Sequence, residues 1–154
     1  ISRQWMLITA GKSSEDCNTM TASWGGVGIM WGKPVATAYI RPQRYTKEFV
    51  DKNEYFTLSF LSEAYRKALN VCGSVSGRDV EDKWQEAGLH PVEIDGTTAV
   101  EEAEEIFLCR KLYAQDMVPE CFTDGGECDG KWYPQKDYHT MYIAEIVKVL
   151  RKKA

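Results

Sequence analysis

Long apolar runs are missing from this 154-residue chain: no stretch approaches the roughly 20 residues that cross a bilayer as a helix. No membrane helix is predicted, and the opening ISRQWMLITAGK lacks the basic, apolar and small-residue order of a secretory signal. The expected location is cytoplasmic. Excess positive charge is also missing. A formal net charge of −4 repels phosphate polymers and anionic lipid surfaces, so neither nucleic acid nor a membrane is an expected partner. The five cysteines, Cys17, Cys72, Cys109, Cys121 and Cys128, are odd in number and contain no C-x-x-C pair. That argues against a complete disulfide framework and against a zinc knuckle. They read as reduced thiols, and although Cys121 and Cys128 flank the turn FTDGGE, an ordinary loop is expected there and no metal. Internal repeats, low-complexity tracts and interdomain linkers are absent. So is a βαβ alternation carrying a G-x-G-x-x-G loop, which removes a Rossmann domain from consideration.

What is present is hydrophobic content of 44%, enough for one core, and the expectation is a single domain over residues 1–154. Short β-prone stretches recur at residues 4–10, 17–24, 28–31 and 34–40, with Gly25 and Gly26 read as a turn or bulge and Pro42 closing the fourth. A short helix follows, with Thr46 as its N-cap, Glu48 in the first turn and Asn53 at its end. Residues 54–61 read as a strand, and a helix capped by Ser62 runs towards Gly73. A third helix is predicted over 79–87, with Gly88 as its stop. Strands return at 91–94, around 105–114 and at 138–150. In the last of these, Met141, Ile143, Val147 and Val149 alternate, and Glu145 on the same face needs a partner. The acidic run Glu101, Glu102, Glu104, Glu105 reads as a solvated face. The fold class predicted is mainly β, a β-barrel or sandwich with a few short helices covering its ends.

Three segments carry chemistry. In CNTMTASWGG, Thr19, Thr21 and Ser23 alternate with Met20, Ala22 and Trp24, a strand that offers hydroxyl donors and close backbone approach to a flat ligand. In IRPQRYT, Arg41 and Arg44 precede Thr46 at a helix start, a chemistry suited to phosphate. In NVCGSVSGRDVEDKW, Gly73, Ser74, Ser76 and Gly77 form a flexible hydroxyl-rich loop, with Arg78 and Lys83 as charges.

The runs NTMTASWG, KPVATAYIRPQRYT, SFLS, CGSVSGRDVEDK and DYHTMYIAEI, in this order from about Met6 to about Lys148, resemble the flavin reductase-like family in its flavoredoxin branch. The resemblance implies a six-stranded FMN-binding split barrel, a homodimer, and FMN held non-covalently near the subunit interface. It implies a ring lying against Asn18, Thr19, Met20, Thr21, Ser23 and Trp24. The phosphate would be held by Arg41, Arg44 and Thr46, or by Ser76, Gly77 and Lys83. His139 would stand at the open face of the ring, as the candidate catalytic residue. Many NAD(P)H-using members read G-D-H and G-E-V where this chain has Asp137-Tyr138-His139 and Ala144-Glu145-Ile146. The function implied is an FMN-containing oxidoreductase. It would be either a flavin reductase fed by NAD(P)H or a flavoredoxin-like carrier that serves a redox protein partner. The alternative is a non-catalytic split-barrel module that binds haem or another flat ligand.

Overall fold

Two distances decide the architecture. In the computed structural model, which describes residues 1–153, seven antiparallel strands form one sheet in the order β2-β1-β5-β8-β9-β4-β3. Strands β1 (Met6–Gly11) and β2 (Cys17–Ala22) lie at one end, and β3 (Gly25–Met30) and β4 (Lys33–Ile40) at the other. The centre holds β5 (Tyr55–Phe60), β8 (Glu105–Asp116) and β9 (Thr140–Arg151). Laid flat, such a sheet would hold its two edges about 29 Å apart. Yet the edge strands β2 and β3 are joined only by Ser23 and Trp24, a link that reaches at most about 11 Å. The sheet therefore rolls up. At the seam, a Cβ on Gly25 would lie 2.6 Å from the Thr37 carbonyl oxygen and 3.1 Å from Met6 Cε, so only glycine fits. Beyond it β3 pairs with β4 alone, and Val27 and Ile29 are 62% and 78% exposed. That ribbon is the seventh strand, one more than the six implied by the resemblance, and it leaves the barrel split.

Even-numbered side chains of β1, β4 and β5 fill the barrel: Met6, Ile8, Ala36, Ala38, Ile40, Phe56 and Leu58 are all buried. Odd-numbered ones of β1 face a second core. There Leu7 packs with Leu69 and Cys72 of α2 (Arg66–Ser74) and with Ala99 and Val100 of β7 (Thr97–Val100). Between the two cores the outer face of the sheet carries threonines that hydrogen-bond one another and the main chain. Thr9 and Thr19 hydroxyls lie 2.8 Å apart, and Thr57 Oγ1 donates to the Thr98 carbonyl at 2.8 Å. Buried hydroxyls need such partners.

Several sequence expectations change. The last strand buries Tyr142 and Ala144 in the barrel, the opposite phase from the Met141–Val149 series, and Val147 and Val149 are exposed. A bulge opposite Leu108 and Cys109 then shifts the phase, so Ile146 packs on the inner core and Leu150 on the outer. Glu145 finds partners in Lys33 at 3.0 Å and Arg110 at 2.6 Å. Gly25 and Gly26 belong to β3, the turn being Ser23-Trp24. Helix α1 (Thr46–Lys52) is preceded by Tyr45, and Thr46 is its first residue rather than its cap. Helix α3 (Lys83–Ala87) starts later than predicted, because Asp82 takes the capping role by accepting from Gln85 N at 3.0 Å. Its stop at Gly88, in the left-handed region, is as expected. Three elements among the described residues had no sequence expectation: β7, the partner of β6 (Pro91–Ile94), the 3-10 turn Pro119–Cys121, and α4 (Glu127–Trp132).

Candidate functional site

Strand β2 is an edge, and α1, α2 and α3 gather beside it, so its free side becomes one wall of a cleft. Helix α2 is tied to that wall by Thr21 Oγ1, which donates to the Leu69 carbonyl at 2.5 Å. The cleft has two parts that share Arg44. The inner part, about 180 Å³, is lined by Asn18, Arg44, Tyr45, Thr46, Ser76 and Lys83, among others. The outer part, about 330 Å³, is lined by the Met20–Trp24 strand end, Tyr39, Arg41, Arg44, Trp132 and His139.

The inner part is a cationic pocket. Lys83 is 5% exposed, and its ammonium donates to the carbonyls of Thr19 at 2.8 Å and Cys72 at 3.2 Å. The Arg44 guanidinium donates to the carbonyls of Gly73 at 2.6 Å and Cys72 at 3.1 Å, at the C-terminal end of α2. Helix-end carbonyls attract cations but carry only a partial charge. Neither group has a carboxylate partner among the described residues, and each repels the other. Burial pushes the Lys83 ammonium down to about 8, and burial also lowers the Arg44 guanidinium from its ordinary value. Two cations that meet only carbonyls at one pocket suit it to an anion. Its floor is Asn18, whose Nδ2 donates to Thr46 Oγ1 at 2.9 Å. Gly77 closes over Asn18 so tightly that a Cβ would sit 2.5 Å from Asn18 Oδ1.

The other two arginines are neutralised. Arg41 pairs with the Asp137 carboxylate, donates to the Trp132 carbonyl at 2.9 Å and lies over the Tyr133 ring. Arg78 pairs with Glu48 and lies over Tyr45. The structure thus draws on both phosphate sets left open by the sequence: Arg44, Thr46, Ser76 and Lys83 share the inner pocket, Arg41 lines the outer part only, and Gly77 lines neither.

The outer part is aromatic. The Trp24 ring meets Trp132 edge-on at 5.1 Å and His139 at 5.0 Å. Burial, helped by Arg41, pushes the His139 imidazole down to about 4, so the ring is neutral near pH 7. Among the predicted residues, Thr19 alone turns its side chain away from the cleft, to Thr9, and contributes its carbonyl to Lys83. Met20 serves both the barrel core and the cleft wall. Sequence reasoning missed Trp132 and Tyr133, because the segment between β8 and β9 gave no periodic signal. The signal that was there is Asp124, which accepts from Gly126 N at 3.0 Å and Cys128 N at 2.8 Å and starts α4.

An antiparallel split barrel whose cationic pocket shares Arg44 with an aromatic-lined one has the chemistry to suit a flat ligand carrying an anionic tail. Residues 1–154 match the family model of the flavin reductase like domain, and the chain belongs to that family. No curated protein matches it. Among solved structures it is similar to flavoredoxin of Desulfovibrio vulgaris (Miyazaki F), with 22% identity, a TM-score of 0.73, and 97% of this chain and 69% of that one covered. It is similar too to an FMN-binding protein from Thermus thermophilus with bound 1-cyclohex-2-enone, at 20% identity and TM-score 0.69 over 96% of this chain and 70% of that. A third likeness is the FMN-binding domain of a flavin reductases-like enzyme from Shewanella baltica OS155, at 18% identity and TM-score 0.68 over 96% and 69%. These likenesses establish the split-barrel fold. Among the described residues no helix is long and apolar enough to cross a membrane.

Proposed function

We propose that the chain is an FMN-dependent oxidoreductase that holds the flavin non-covalently, phosphate in the Arg44–Lys83 pocket and ring along Met20–Trp24 beside His139. The observation that carries the reading is a pair of cations with no carboxylate partner among the described residues, Lys83 buried and Arg44 half-buried, at a pocket that shares Arg44 with an aromatic-lined one. Bound FMN supplies the electron chemistry; the protein supplies binding, orientation and the electrostatic setting. Arg44 and Lys83 hold the dianion, Asn18 and Gly77 shape its pocket, and Thr21, Ser23 and Trp24 present the ring wall. His139, neutral, offers a hydrogen bond rather than a proton. Electrons arrive from NAD(P)H, or pass to and from a redox protein partner.

The reading includes a cytoplasmic homodimer. Five free thiols support the first part, two of them exposed, and the uncovered apolar side chains of the β3 ribbon support the second. Equilibrium titration with FMN, FAD and riboflavin tests the site. FMN is expected to bind best, and equal affinity for riboflavin would remove the phosphate pocket from the account. A preparation that takes up haem and no flavin would favour the binding-module alternative. Stopped-flow reduction separates the two redox roles: a flavin reductase is reduced rapidly by NADH or NADPH, a carrier only by a reduced protein or dithionite. If His139 guides the hydride donor, His139→Ala slows that reduction at least about tenfold while FMN affinity stays the same.

A further inference from the structure

The ring of His139 touches the cleft on one side and a phenol on the other. Tyr133, at the C-terminal end of α4 and 3% exposed, places its hydroxyl 2.8 Å from His139 Nδ1. Among the described residues, the only other acceptor that this hydroxyl reaches is the Met117 thioether at 3.6 Å, a weak one. An imidazole nitrogen is the stronger acceptor, so the phenol proton goes to Nδ1 and not to sulfur. The other ring nitrogen, Nε2, has no protein partner among the described residues, and it is not one of the buried atoms left unpartnered, which are Ser59 Oγ and Thr97 Oγ1. It is therefore open to the cleft that His139 lines with Trp24 and Trp132.

We infer that Tyr133 is a positioning residue: by donating to Nδ1 it fixes His139 in the tautomer that carries its proton on Nε2, and so presents an N–H donor to the cleft. The inference takes its functional meaning from the flavin reading above, but its geometry does not depend on it. A tautomer fixed this way decides what the site recognises. A ligand atom facing His139 must be an acceptor, such as a carbonyl oxygen or an unprotonated ring nitrogen. A site with Nε2 unprotonated would select a donor instead. The charged groups facing the ring are Arg41, which disfavours a second proton, and Asp137, which favours one and is already paired with Arg41. With Tyr133 donating, neutral imidazole persists across the physiological range, and the hydrogen bond offered to the ligand does not change with pH.

Long-range proton–nitrogen NMR of the purified protein tests this directly, because the chain has only two histidines and a His90→Asn variant identifies the signals of His139. The wild type is expected to show a protonated Nε2 and an unprotonated Nδ1, unchanged between about pH 5.5 and 8.5. Tyr133→Phe is expected to bring in the second tautomer and to move the His139 titration upward, since the neutral ring loses its donor. A protonated Nδ1 in the wild type overturns the inference outright, whether or not the variant folds. Unaltered His139 signals in a folded Tyr133→Phe overturn it as well. The spectrum is read with or without flavin, so a protein that shows the expected tautomer but takes up no FMN on titration would sink the flavin reading and leave this one standing.

Discussion

At the scale of residues, Lys83 and Arg44 decide most. A lysine in ordinary solvent would stay charged far above physiological pH, but burial brings Lys83 down to about 8. Two opposite pH effects follow. Between about 8 and the ordinary lysine value of 10.5 the unfolded chain binds more protons at this position than the folded one. The flavin-free protein therefore loses a penalty, and gains stability, as pH rises through that window. FMN affinity moves the other way, because a neutral Lys83 no longer attracts the phosphate. Fluorescence titrations from about pH 6.5 to 9.5 should show FMN affinity falling above about 8 while riboflavin affinity stays level. Lys83→Met should weaken FMN by about 1.5–3 kcal/mol, the value of one charge-assisted bond, and leave riboflavin unchanged. Gly77 acts through shape. Gly77→Ala puts a methyl 2.5 Å from Asn18 Oδ1, which forces Asn18 off Thr46. The expected cost in FMN affinity is about 1–3 kcal/mol, again with riboflavin as the control.

At the scale of elements, the least self-sufficient piece is the β3–β4 ribbon. Its two-residue turn, Trp31-Gly32, has positive φ at both positions, the hairpin geometry that matches strand twist. Past Gly26 the strand has no neighbour but β4, and Val27, Ile29 and Trp31 are all more than half exposed. An unpaired apolar edge is a template for association. Ile29→Lys is accordingly expected to convert a dimer to a monomer in light scattering at micromolar concentration, and to leave the barrel folded. A wild type that is already monomeric would show that this edge needs no partner. The hairpin β6–β7 is the counterpart case. Its turn, Asp95-Gly96, is a strong hairpin signal between Ile94 and Thr97, so β7 was readable from the sequence although no strand was expected there.

At the scale of the whole molecule, one sheet separates two cores, and each takes alternate side chains of β1. Truncating the inner core at Phe56→Ala should cost about 3–5 kcal/mol, and the outer at Leu69→Ala about 2–5, read by urea denaturation. Because these side chains belong to different clusters, the double variant is expected to sum to within about 0.5 kcal/mol. A large departure would mean that the sheet transmits strain from one core to the other.

Local information in the sequence determined the strands β1, β4 and β5, the stop at Gly88 and the end of α1 at Asn53, because short-range sterics and capping set them. The motif resemblance pointed to the family, and the alternation of β2 to a wall for a flat ligand. Other features depend on contacts between distant segments. The phase of β9 was set by a bulge against β8 and by which face the rolled sheet enclosed, and no period count along one strand contains that information. Whether an arginine is spent or available was likewise decided in three dimensions. Arg41 and Arg44 look alike three residues apart, yet Asp137 neutralises one, and the other meets only the carbonyls of Cys72 and Gly73. Charge compensation depends on what the fold brings within a few ångströms, and for these residues the partners lie 28 to 96 positions away.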